Sequence, residues 1–212
     1  MRKYVVEFIG TFFLVFTVVA TVLTDQALAP LAIGASLMVM IYAGGHISGG
    51  HFNPAVSTAA LVRGGFAGID LLGYWAAQLA GGVAGALLAS YAVGSSGSAE
   101  ALSGAAIVPA LLVEFLFTFA LAWVVLNVAT SKDTEGNSFY GLAIGFTVVV
   151  GAIAVGGISG GAFNPAVAFG ASFAGLFAWS NIWIFLVANL LGGAVAGLAF
   201  KALSANDAAE AS

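Results

Sequence analysis

The sequence predicts an all-α membrane protein: six transmembrane helices plus two re-entrant half-helices, arranged as an inverted repeat. Three observations predict it. Of 212 residues, 61% are hydrophobic and 7% charged, whereas a soluble domain carries about 25% charged residues because its surface faces water. Six apolar runs stand in order along the chain. One ten-residue segment occurs twice.

A membrane helix needs about 20 largely apolar residues to cross about 30 Å of hydrocarbon. The candidate spans are 4–23, 31–45, 70–91, 107–129, 139–156 and 179–201. Met1-Arg2-Lys3 ahead of the first run superficially resembles a signal peptide. That run is too long for an h-region and contains Glu7, so it is read as the first span. Pro30 and Pro109 stand near the starts of the second and fourth spans, where a missing N–H is best tolerated. With six spans, Arg2, Lys3, Arg63, Lys132 and Lys201 all fall on one side, which the positive-inside rule makes cytoplasmic. Both termini are expected there.

Two segments are too short to span. Residues 54–63 and 165–174 would each form a helix about 15 Å long, half a membrane. Each follows a glycine-rich stretch and precedes glycine, a helix stop. Irregular backbone at membrane depth survives only where protein buries it or a watery cavity solvates it. Re-entrant half-helices around a pore meet that condition.

The chain repeats itself. Residues 47–56 match 158–167 at nine of ten positions, at an offset of 111. The same offset carries Ala77-Gln78-Leu79 onto Ala188-Asn189-Leu190. Glu7-Phe8 and Thr11 recur as Glu114-Phe115 and Thr118 at an offset of 107. This divides the chain into a first repeat, 1–105, a second repeat, 106–202, and a short polar tail, 203–212. Three spans per repeat invert the second copy relative to the first. The N-termini of the half-helices then meet near the midplane.

Asn53 and Asn164 occupy N-cap positions, with Pro54 and Pro165 at N1 and Ala55 and Ala166 following. Two ordinary capped helices would leave the repeat, the depth and the identical flanks unexplained. Opposed N-termini place roughly half a positive charge each at the pore centre, repelling cations. Each asparagine also offers amide donors to a passing oxygen. A water accepting both would point its hydrogens outward and break a proton wire.

With its paired Ser-Gly-Gly-x-Phe-Asn-Pro-Ala motifs, six spans and paired glutamates, the chain resembles the aquaporin (major intrinsic protein) family over essentially its whole length. The first motif, from Gly45 to Val56, is similar to that of bacterial water channels. The resemblance implies the aquaporin-like fold and a homotetramer with one pore per subunit. It also implies that Glu7 and Glu114 hold the re-entrant loops through their backbones; the competing reading makes them a proton relay. It places His51 at the cytoplasmic vestibule. The glycines around 81–85 and 192–197 suit close helix packing, and Trp75, Trp123, Trp179 and Trp183 suit interfacial anchors or packing residues.

The sequence departs from that family at the outer constriction. Most relatives carry Arg after the second Asn-Pro-Ala; here the residue is Val167. Spacing from the motifs assigns the other three positions to Ile33, Ala152 and Gly161. Such a ring is uncharged, apolar and wide, and it would admit glycerol, urea or similar neutrals, or dewet.

The expected function is therefore passive passage of water or small uncharged solutes, with ions excluded. An ion- or proton-coupled transporter is the alternative, since those also use inverted repeats and broken helices. No nucleophile–base pair, metal cluster or cofactor motif supports an enzyme. No basic patch supports a nucleic-acid partner. The partners expected are the lipid bilayer, in a prokaryotic inner membrane, and small neutral permeants.

Overall fold

The structure is a computed structural model, and it describes residues 1–204. The expected polar tail lies outside the described residues from position 205 onward. Among the described residues, eight α-helices follow in order: α1 (Arg2–Leu23), α2 (Ala29–Ser48), α3 (Pro54–Arg63), α4 (Gly68–Val93), α5 (Ile107–Thr130), α6 (Tyr140–Ser159), α7 (Pro165–Phe173) and α8 (Ile182–Leu203). Six are long and apolar enough to cross a membrane. The two short ones, α3 and α7, are the half-helices.

Left-handed glycines end α2, α3, α4 and α6. The expected second span ended at 45, but α2 runs on to Ser48, where Gly49 takes a positive φ of 87° and its N–H caps the carbonyl of Gly45. Gly160 ends α6 in the same way, at φ 97°, capping Gly156. A hydropathy window stops at the polar residues, whereas the backbone stops at the first residue that adopts the left-handed conformation without strain. Similarly, α7 closes at Phe173, and the positive-φ Gly175 turns the chain behind it.

The long helices pack α1 on α4, α5 on α8 and α2 on α6, while α3 rests on α8 and α7 on α4. Each half-helix thus leans on a long helix of the other half of the chain. Missing side chains permit that approach. A Cβ on Gly82 would stand 2.7 Å from the carbonyl oxygen of Ala166, and one on Gly193 would overlap that of Ala55. The buried core runs through the middle, with Val15, Val19, Phe52, Val56, Leu126, Phe163 and Phe185 almost wholly enclosed. Large apolar side chains cover the outside, such as Ile153 at 70% exposed and Leu198 at 59%. In water this surface would be a liability; in hydrocarbon it is the lining expected.

A pore site built from two loop tips

The half-helices meet tip to tip. Asn53 caps α3 by accepting the Ala55 N–H at 2.8 Å, and Asn164 caps α7 by accepting those of Ala166 and Val167 at 2.9 and 3.4 Å. Each amide nitrogen then crosses to the opposite loop. Asn53 Nδ2 donates to the Phe163 carbonyl at 2.9 Å, and Asn164 Nδ2 donates to that of Phe52 at 2.8 Å. A carboxamide nitrogen carries two hydrogens, so one N–H of each asparagine is left over. Both asparagines border a narrow internal cavity. Phe52 and Phe163 hold positive φ values of 46° and 48°, unusual for bulky residues. Their backbones must therefore be restrained by the surroundings.

The restraint comes from the buried carboxylates. Glu7 Oε1 accepts from the Ser48 hydroxyl at 2.7 Å and the His51 N–H at 3.0 Å; Oε2 accepts from the Phe52 N–H at 2.6 Å and Gln78 Nε2 at 2.8 Å. Glu114 repeats the pattern with Ser159 at 2.7 Å, Ala162 N–H at 2.9 Å, Phe163 N–H at 2.8 Å and Asn189 Nδ2 at 2.8 Å. Both glutamates are fully buried. Four donors on each carboxylate, two of them loop N–H groups, tie the turn backbone to α1 or α5. Sequence reasoning left Gln78 and Asn189, and the motif serines Ser48 and Ser159, without an individual role. The offset of 111 that pairs each with its mate was the available signal.

The cavity has a volume of about 70 Å³. That is several times the roughly 10–15 Å³ needed to hold one water. Its walls are apolar, with Leu14, Val18, Leu121, Val125, Ile144 and Val148 among them. Ile33, Ala152, Gly161 and Val167 all border it, as does Phe177, which sequence reasoning did not single out. His51 borders this narrow cavity and shares a hydrogen bond of 3.0 Å with the Ser57 hydroxyl. A second, larger cavity, about 640 Å³, is bordered by His46, Lys132 and Asn137 instead. His51 thus lines the narrow cavity and His46 the larger one.

Comparison with known proteins extends over the same residues. Positions 1–200 match the Major intrinsic protein family. The Glycerol uptake facilitator protein-like 6 of Lactiplantibacillus plantarum is 39% identical, over 98% of this chain and 100% of that one. The probable aquaporin TIP2-2 of Oryza sativa subsp. japonica is 35% identical, over 95% of this chain and 86% of its own. The aquaglyceroporin of Plasmodium falciparum superimposes with a TM-score of 0.81 at 23% identity, covering 97% of both chains; that likeness speaks for the fold. With six spans around two opposed half-helices, and with matches along nearly its entire length, the chain belongs to the major intrinsic protein family of membrane channels.

Proposed function

We propose that the protein is a passive pore for water and small uncharged solutes of the glycerol and urea class, with Asn53-Pro54-Ala55 and Asn164-Pro165-Ala166 as its central filter. The observation that carries this reading is the reciprocal bonding of Asn53 and Asn164 across two abutting helix N-termini beside an internal cavity. Each remaining amide N–H offers a donor to a permeant oxygen, and the two N-termini set a positive potential there. Cations are repelled, and a water accepting from both amides cannot relay a proton. The relatives named as glycerol facilitator and aquaporin support the solute class.

The outer constriction is formed by Ile33, Ala152, Gly161 and Val167. Without arginine it lacks both a fixed charge and a side-chain donor. Cation exclusion then rests on the half-helices, and the opening accommodates solutes larger than water. Repeats 1–105 and 106–202 together build one pore, and four such chains assemble as a homotetramer in a prokaryotic inner membrane with both termini cytoplasmic. Coupled transport is disfavoured, because Glu7 and Glu114 spend every lone-pair direction on loop and side-chain donors.

Stopped-flow light scattering on proteoliposomes tests this. Water, glycerol and urea should each equilibrate faster than in empty vesicles, with no dependence on a proton or sodium gradient. Rates equal to those of empty vesicles for all three would overturn the reading, and gradient-driven accumulation would favour the transporter.

A further inference from the structure

The two repeats close their pore-side turns with different rings. Above Gly49 lies the His51 imidazole, whose Nε2 would stand 3.1 Å from a Cβ placed on that glycine. At the equivalent turn, residue 162 is alanine and offers no ring. The space above Gly160 is taken by Phe177, whose Cζ would stand 2.9 Å from such a Cβ.

Phe177 is the repeat mate of Phe66, and Phe185 that of Tyr74, at the same offset of 111. Phe66 packs edge-on to Tyr74 at 4.8 Å and against the His51 ring at 5.2 Å. On that side the imidazole borders the cavity. Phe177 lies at 4.6 Å and 32° on Phe185, and itself borders the cavity with Gly161, Val167, Ala152 and Ile33.

The segment carrying Phe177 is pinned on both sides. Gly97 and Ala99 donate to the carbonyls of Ala174 and Gly175 at 2.8 and 2.9 Å. The Asn181 carboxamide clasps Leu102, accepting its N–H at 2.8 Å and donating to its carbonyl at 3.0 Å.

We infer that Phe177 is a fifth, specificity-determining residue of the outer constriction, a phenyl wall standing where the inner turn has an imidazole and limiting the girth of entering neutral solutes. This rests on the pore reading above. No side chain of the five offers a hydrogen-bonding group. Solute polarity at this level is met by backbone alone, and width is set by the ring. The solutes it admits are slim polyols and amides that can lay an apolar edge against Phe177.

The test is the ratio of xylitol to glycerol permeability in proteoliposomes, for the native chain and for Phe177→Ala, Phe177→Leu and Phe177→Trp. The ratio should rise about tenfold in the alanine variant, the scale of a pocket altered by a few carbons. It should rise less in the leucine variant and fall below native in the tryptophan variant. Ala162→His in the Phe177→Ala background should return it toward the native value by rebuilding a ring over Gly160. A purely structural role would lower both fluxes together; an unchanged ratio across the series overturns the inference. Should the alanine variant not fold, leucine and tryptophan must still move the ratio in opposite directions, and a failure to do so overturns it equally. If the native chain passes neither water nor glycerol above empty vesicles, the pore reading fails, and this inference falls with it.

Discussion

Glu7 and Glu114 are placed so that each carboxylate oxygen receives two donors, at 2.6–3.0 Å. Replacing one by glutamine turns an acceptor into an NH2 group facing loop N–H donors. Glu114→Gln should therefore lower stability by about 1–3 kcal/mol, the penalty for stranding buried donors, and lower solute flux with it. Thermal unfolding in detergent and light scattering would show both. A proton relay would instead leave the folded protein intact and abolish only gradient-dependent transport. At the constriction, Val167→Arg adds a charge about 6 Å from the permeant path. That restores roughly 1–3 kcal/mol of cation repulsion for effective dielectrics of about 80 to 20. Proton flux into vesicles should fall, and glycerol flux should fall more than water flux; equal proton leakage in both forms would count against it. The asparagines and glutamates were legible in the sequence because the repeat presents each twice in the same surroundings. Phe177 was not legible. It borders the cavity from a segment outside both motifs, packed over Gly160 across the fold.

The half-helices were readable down to their caps, since asparagine, proline and terminal glycine each satisfy a local requirement. The sequence alone did not show what braces them. Gly82 and Gly193 sat within a general expectation of close helix packing, yet each meets the carbonyl of an alanine in the opposite half-helix. Gly193→Val should force α8 away from α3 and destabilise the protein by about 1–3 kcal/mol through overpacking. A lowered unfolding temperature would report it; an unchanged one would mean that α8 yields freely. Asn164→Asp probes the helix end itself. Aspartate caps as well as asparagine, so α7 should persist. The added negative charge opposes the roughly half-charge of the N-terminus, and sodium or proton leakage should rise. Vesicles that stay cation-tight would refute a dipole-based barrier.

Across the whole molecule, the number of spans was legible because six apolar runs, two between successive groups of cations, leave all five cations on one side. On that side the structure pairs Lys3 with Asp70 at 2.6 Å and directs Arg63 to the Thr130 carbonyl at 2.6 Å. The sequence contains no cysteine, so single reporters can be introduced on a clean background. Ser98→Cys should react with an impermeant maleimide added outside cells, and Glu135→Cys only after lysis; the reverse pattern would invert the proposed topology.

The crossed bonds between loop tips also carry a consequence for biosynthesis. The carbonyl that receives the Asn53 amide belongs to Phe163, 110 positions later in translation. While only the first half has left the ribosome, that amide has no partner, and the Phe52 carbonyl waits likewise for Asn164. The conduit's centre is thus among the last parts to form, and an isolated front half inserted in the bilayer would be an incomplete wall with a polar seam open to whatever adjoins it.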